Sequence, residues 1–366
     1  MSHHADSGAR HAEKPPKRRS RSRLALIISL SLVGLLVLGA AGGVWYLHHR
    51  INSNIEHIDD AFGERDNRPT PAPSPSERED GTTANPQDAV NILFVGSDSR
   101  ISAGDPSQWE YGAQRTDAIL LAHIPSDRSG AYVMSIPRDS WVEVPGYGEN
   151  KINAAFSFGG APLLIETVEN LTGVLINHIV ISDFESFAGI TDALGGVELT
   201  FVRDWTDDVS GRTFTKGTHR LNGDEALAYA RERYALPGGD FDRVKRQQNW
   251  MRSMMREVFT QDILTSPAKL LELIDTVSQS IAADEGFNAQ RMQDLALSVR
   301  NLRPNDVVFL TVPVTGTGWS PDGKQSIVNL DRAGFDALMD AIAADDAAAY
   351  IAANRDKLLT LGADVY

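Results

Sequence analysis

Uncharged residues run without a break from Leu24 to Leu47, and Leu, Ile, Val, Ala and Gly dominate these 24 positions. The stretch exceeds the ~20 residues a helix needs to cross a bilayer, and it is too long for the ~7–15-residue apolar part of a signal peptide. After it the pattern changes. Asn91 to Val95, Ala118 to Ile124 and Ala131 to Ile136 are short apolar runs bounded by turn residues, which predicts buried strands. His178 to Ser182, Val197 to Val202, Val307 to Val312 and Ser326 to Leu330 read the same way. Segments with helical spacing lie between them. Pro162 to Leu171 is one, stopped by Gly173, and the capping box Ser182-x-x-Glu185 opens another that runs to Leu194. Pro267 to Ile281, Asn288 to Leu302, and Asp331 to about Ala344 complete the set. Strands and helices interleave, so an α/β domain is expected.

The densest polar pattern spans Asn222 to Arg252. Asn222 is a capping residue for a short helix that should deliver Arg231 and Arg233 at its exit. A spacing of two in extended backbone points both side chains to one side. Pro237, Gly238 and Gly239 force a turn, and Asp240 or Asp242 can cap a second helix. There Arg243, Arg246, Gln247 and Trp250 share a face by spacing, while Val244, Met251, Met255, Val258 and Phe259 form the stripe expected to meet the core. Arginines in a first helical turn oppose the macrodipole unless an anion sits with them. The competing reading pairs them with Glu232, Asp240 and Asp242 on a solvated surface.

Charge separates the regions. Residues 1–23 carry seven Lys or Arg against two acidic residues, which places the amino terminus in the cytoplasm and the rest of the chain outside. Beyond Arg50, 27 Lys or Arg stand against 47 Asp or Glu. A surface of that sign excludes broad contact with nucleic acid and confines any anion site to a local cluster. Five prolines between residues 63 and 86, among Ser, Thr and charged residues, read as an extended stalk. There is no cysteine, so neither disulfides nor thiolate metal sites are available. The expected order is a cytoplasmic tail (1–23), a single transmembrane helix (24–47), an extracellular stalk (48–87), a domain (88–345) and a carboxyl-terminal tail (346–366).

Three of the predicted strands end in charge. Asp98 follows the first, Arg115 and Asp117 precede the second, and Arg138 and Asp139 follow the third. Ligands bind open α/β sheets at such strand ends. Zinc-protease, serine-hydrolase elbow, P-loop and dinucleotide motifs are missing, and His123, His178 and His219 stand alone. Two aspartates amid several arginines suit a pyrophosphate: Mg2+ takes one or two carboxylates plus phosphate oxygens, and guanidinium forks take the remaining oxygens.

The stretches VNILFVGSDSR, RTDAILL, VMSIPRDSWVEVPGYGENKIN, DFESFAGITDALGGVEL and LNGDEALAYARER followed by DFDRVKRQQ resemble the LytR-CpsA-Psr (LCP) family. They occur in the family's order, after one membrane helix, and cover roughly Val90 to Trp250. The resemblance implies a three-layer α/β/α domain with a mixed central sheet and a deep apolar pocket. It implies a phosphotransferase that moves a glycopolymer from a polyprenyl-pyrophosphate carrier onto peptidoglycan at the outer face of the cell membrane. Arabinogalactan, teichoic acid and capsular polysaccharide are all compatible polymers. By position, Asp98 and Asp117 would hold Mg2+ (or Mn2+). Arg115, Arg138, Arg231, Arg233 and Gln247 would bind the pyrophosphate, with Arg243 in support. Trp141 and Val142 stand where relatives can carry a further arginine. Leu163, Leu164, Val168, Leu270, Leu271 and Ile274 are candidates for lining the lipid cleft, or form ordinary core. Two other readings use the same features: a polyprenyl-pyrophosphate phosphatase with water as acceptor, and a non-catalytic envelope sensor or transcriptional attenuator.

Overall fold

Strand alternation decides which way each core residue faces. The computed structural model describes residues 46–70, 89–97, 116–207, 211–232, 236, 238–362 and 365. Eight strands form the main sheet: β1 (Glu56–Ile58), β2 (Val90–Ser97), β3 (Thr116–Ile124), β4 (Ala131–Ile136), β5 (His178–Asp183), β6 (Ala282–Asp284), β7 (Val307–Thr311) and β8 (Leu359–Thr360). They lie in the order β1-β6-β5-β2-β3-β4-β7-β8. The β1–β6, β2–β5 and β4–β7 pairs are parallel and the others antiparallel, so the sheet is mixed.

Both faces are covered. Leu93, Val95, Ile119, Leu121, Met134 and Ile136 point to one side, where Leu164, Ile165 and Val168 of α1 (Ile152–Thr172) and Phe335 and Leu338 of α7 (Arg332–Ala343) meet them. Ile92, Leu120, Val133 and Val180 point to the other, against Leu270 and Ile274 of α5 (Pro267–Ser278) and Ala289 of α6 (Ala289–Ser298). The expected three layers are thus present. Continuous apolar strands, buried on both faces, are what such a sheet requires. Helix α1 begins ten residues earlier than its periodicity predicts, because the Gly159 and Gly160 break only interrupts it. Gly160 has φ 63°, a conformation that favours glycine.

A third cluster sits beneath α2 (Phe184–Ala193), α3 (Gly223–Arg231) and α4 (Asp240–Thr260), with Phe201, Trp205, Phe214, Tyr229 and Trp250 as its aromatic centre. The cap at Asn222 is as expected: its side chain accepts from Glu225 N, and Glu225 reaches back to Asn222 N. The other half of the Ser182-x-x-Glu185 capping box, the Glu185 side chain, lies outside the described residues, and Ser182 itself also reaches β6. Its hydroxyl donates to Ser280 O at 3.0 Å and ties β5 to the chain entering β6.

The compact unit starts at Arg50 and takes in residues assigned by composition to a stalk and a tail. β1 pairs with β6, and Arg65 and Arg68 converge on Glu169 of α1 at 3.0 and 2.7 Å. Glu169 is fully buried and also accepts from Ile176 N at 3.0 Å. A partner a hundred residues away is invisible to local composition, so this segment read as solvated. At the other end Ala347, Ile351 and Leu358 join the core. No helix of the described residues is long and apolar enough to cross a membrane. The span expected at 24–47 lies outside them except for Tyr46 and Leu47.

Replacing Glu169 with Ala would leave two guanidinium groups facing a buried void. Truncating one partner of a buried ion pair costs ~3–5 kcal/mol. Urea unfolding of Glu169→Ala should show a loss of that size, and a loss below ~1 kcal/mol would mean that solvent screens these pairs.

Candidate active site

β3 opens on a bulge. Gly96 pairs with Ala118 but Ser97 pairs with Thr116, so Asp117 is an extra residue on β3. An inserted residue ends regular pairing and re-aims its side chain, and bulges recur beside functional sites. On the other flank Ile119 pairs with Ile136 of β4. Continuing that antiparallel register by two residues brings Arg138 opposite Asp117, and Arg138 Nη1 donates to Asp117 Oδ1.

The loop carrying Arg138 is fixed from two sides. Asn153 N donates to Arg138 O at 3.2 Å and Ile152 N to Ser140 O at 2.9 Å, both from the first turn of α1. Val328 N donates to Asp139 O at 2.9 Å from the hairpin formed by Val314–Trp319 and Ser326–Leu330. The Asp139 carboxylate takes Lys151 Nζ at 2.9 Å and lies 3.9 Å from Arg138 Nε. The Arg138-Asp139 and Lys151-Ile152-Asn153 motifs, separate in sequence, are one structural unit.

Helix α4 closes the site. Arg243 Nη2 lies 4.0 Å from Asp117 Oδ1, so the carboxylate sits between two guanidinium groups. Asp117 and Arg138 are mostly buried and Arg243 is buried. At the start of α4 Gly239 takes φ 55°, and Asp242 reaches back to accept from Gly238 N at 2.8 Å. Of the two predicted capping aspartates, Asp242 braces this turn from inside the helix. Gln247, one turn beyond Arg243, lines an apolar cavity of about 80 Å³ with Phe94, Leu120, Val180, Trp250 and Met251. Gly96 and Ala118 also line it, and they are the pair next to the bulge. Charge cluster and cavity therefore adjoin.

Arg246 is the residue that helical spacing misplaced. It is 1% exposed, within the aromatic cluster, and donates from Nη1 to Tyr229 O at 3.2 Å. Its guanidinium lies 4.5 Å from the Tyr229 ring and 5.3 Å from that of Trp205. Burial lowers its pKa from the usual arginine range, with the charges of Tyr229 and Glu232 opposing. The same burial raises the Tyr229 phenol. Spacing shows which residues share a face, and here that face is divided between site and core. Arg246 satisfies a carbonyl of the last turn of α3, a group with no partner inside the helix, and so holds the exit that carries Arg231.

Arg231 is the final residue of α3, with its side chain exposed, and Glu232 after it is extended as predicted. Asp98, Arg115 and Arg233 lie outside the described residues. Asp98 directly follows Ser97, whose register partner Thr116 precedes Asp117. No cluster of three or more potential metal ligands occurs among the described residues. Asp117 is a single hard oxygen donor already facing two guanidinium groups, so a divalent ion there would need phosphate oxygens to supply further ligands and offset the neighbouring positive charge. Of the residues considered for the lipid cleft, Leu163, Leu164 and Val168 pack on the opposite face of the sheet. Leu270, Leu271 and Ile274 are core on the cavity's side of the sheet without lining it.

This fold and site define a family. The model of the LytR_cpsA_psr family matches residues 48–341, and the chain belongs to that family. It is 33% identical over 294 residues to the cell wall biosynthesis protein LcpA of Corynebacterium glutamicum, covering 69% of this chain and 55% of that protein. It thus spans little more than half of that relative's length. It is 29% identical over 276 residues to TagU of Bacillus subtilis, a polyisoprenyl-teichoic acid–peptidoglycan teichoic acid transferase, with 75% of this chain and 83% of that one covered. The crystal structure of B. subtilis TagV superposes with a TM-score of 0.59 at 25% identity, over 70% of this chain and 97% of that one.

A ligand that binds only the folded state stabilises it by ~2.7 kcal/mol at a concentration 100 times its Kd. Inorganic pyrophosphate with Mg2+ should therefore raise the melting temperature of the wild-type domain, and Arg138→Ala should lose most of that gain. Equal gains in both proteins would place the anion elsewhere.

Proposed function

We propose that this chain transfers a glycopolymer from a polyprenyl-pyrophosphate carrier to peptidoglycan. One observation carries the reading: the Asp117, Arg138 and Arg243 cluster adjoins an apolar cavity that begins at the very next residue pair of the sheet. A diphosphate ester of a lipid is a ligand that needs both surfaces at once. The activity named for the B. subtilis relative is of this class.

In this reading Arg138, Arg243 and Gln247, with Arg115, Arg231 and Arg233, hold the pyrophosphate. The guanidinium groups would neutralise charge that builds on the departing lipid phosphate. Asp117 and Asp98 would hold Mg2+ or Mn2+, which supplies further neutralisation at the phosphate oxygens. The acceptor hydroxyl oxygen forms a bond to the sugar-linked phosphorus while the bond from that phosphorus to the bridging oxygen breaks. The lipid monophosphate leaves with the electron pair. The hydroxyl proton passes to a site base, for which Asp117 and Asp98 are the carboxylates at hand. A cavity of about 80 Å³ is smaller than the ~150 Å³ that admits benzene. Entry of a lipid tail thus requires the cavity to widen, for which the unbranched Met251 is suited. Residues 24–47 would anchor the chain in the cell membrane, amino terminus cytoplasmic and domain outside.

Arg231→Ala tests the reading with little risk to the fold, since exposed truncations usually change stability by no more than ~0.5 kcal/mol. Loss of one preorganised donor typically lowers kcat by ~10²–10³, and transfer to peptidoglycan should fall by that much with melting temperature unchanged. Phosphate release without polymer-linked peptidoglycan in the wild type would favour hydrolysis. A melting loss with transfer intact would make the arginine structural.

A further inference from the structure

Helix α4 presents different chemistry on its two sides. Arg243, Gln247 and Trp250 follow one helical stripe and face the charge cluster, the cavity and the aromatic core. Phe241, Lys245 and Gln248 follow a second stripe, about half a turn away, and line a groove of about 520 Å³. Its other walls come from Thr311 of β7, Thr315 and Gly316 of the 314–330 hairpin, and Thr360 of β8. The lining is mixed, with Phe241, Val314, Leu359 and Leu361 beside the hydroxyl groups of Thr311, Thr315 and Thr360, and it is more polar than that of the cavity on the other side.

Three contacts fix this groove and relate it to the site. Arg252 Nη1 on α4 donates to Gly362 O at 2.7 Å, and Leu361 N donates to Phe309 O at 2.8 Å, so the β8 wall is held to both α4 and the sheet. β7 runs parallel to β4 with Thr311 opposite Ser135, so the groove opens on the sheet edge from which Arg138 projects. The hairpin also braces the Arg138 loop, through Val328 N to Asp139 O.

The surface continues beyond the groove. On the strand Val314–Trp319, Thr315 is the extra residue of a bulge, and beyond it the alternate residues Thr317 and Trp319 are exposed on one face, with Trp319 68% exposed. Four residues of strand carry this face ~13 Å outward. A flat indole beside a threonine hydroxyl offers an apolar platform with a polar flank, which suits the alternating apolar faces and hydroxyl edges of sugar rings.

We propose that the groove, which Thr315 lines, and the Thr317–Trp319 face seat the acceptor, a glycan strand of peptidoglycan. The inference rests on the transfer reading above and names where its second substrate binds. In-line displacement brings the attacking oxygen to phosphorus from the side opposite the leaving oxygen. With the lipid phosphate directed toward the apolar cavity, the acceptor approaches from the other side of the cluster, where the groove lies. Lys245, which also lines the groove, is paired with Asp242 Oδ1 at 3.1 Å.

The test uses full-length protein in detergent, a synthetic polyprenyl-pyrophosphate disaccharide as donor, and soluble uncrosslinked peptidoglycan strands as acceptor. Trp319→Ala and Thr317→Arg alter exposed positions and should leave the melting temperature unchanged. Each should raise the acceptor KM about tenfold or more while donor KM and acceptor-free donor hydrolysis stay within about twofold. An unchanged acceptor KM overturns the proposal. So does a rise confined to donor KM, which would assign the groove to the donor's own sugars. If the wild type transfers nothing, the transfer reading fails, and sedimentation with the strands decides the groove separately. Binding by wild type that Trp319→Ala loses supports it, and equal binding overturns it.

Discussion

Burial of charge on α4 is the constraint from which the site follows. Asp242, Arg243, Arg246, Gln247, Gln248, Asn249, Ser253 and Glu257 are all buried on one helix. Polar groups taken out of water must find partners or they cost several kcal/mol each. Several of them therefore draw another element toward α4. Arg246 draws in the end of α3, Gln248 donates to Leu310 O of β7 at 3.0 Å, and Arg252 donates to the chain after β8. Glu257 takes Arg220 from the strand Gly217–Leu221 at 3.0 Å. Arg243 is the member that reaches the site, with its Nη2 4.0 Å from Asp117 Oδ1.

Legibility in the sequence followed the range of the interactions. β4 and the hairpin strand Ser326–Leu330 were readable to the residue, because their apolar runs and turn residues are local. The Asn222 cap was readable for the same reason. β1, β6 and β8 were not, since runs of two or three residues carry no periodicity and become strands only through neighbours. Glu169 with Arg65 and Arg68 is the same lesson in charge. In the site, recurrence of Arg and Asp at strand ends pointed to Asp117 and Arg138, but only register shows that they touch. Spacing grouped Arg246 with Arg243, and the aromatic cluster separates their roles. Nothing in the pattern around Trp319 distinguished an exposed tryptophan from a core one.

The sheet explains why these groups meet at one edge. β2 and β4 run antiparallel to β3, so the ends of β2 and β4 and the start of β3 coincide. β7, parallel to β4, brings its end to the same edge. Four strand termini thus meet at one edge, while the opposite ends of β3 and β4 are joined by the turn at 125–130. The bulge at Asp117 interrupts the ladder between two paired positions and frees a carboxylate that would otherwise alternate into a layer.

The charge balance bears on how a substrate reaches this edge. Outside the amino-terminal 50 residues acidic groups outnumber basic ones by 47 to 27, so the surface as a whole repels an anionic polymer. Beyond about one Debye length, ~8 Å at physiological ionic strength, that repulsion is largely screened. Attraction is then confined to the arginine forks and to apolar contact inside the cavity. A free anionic polymer gains only the first of these, and a lipid-linked one gains both. In the proposed transfer reading, the acidic surface and the adjacent cavity would act together, favouring a polymer that still carries its lipid over one that has lost it.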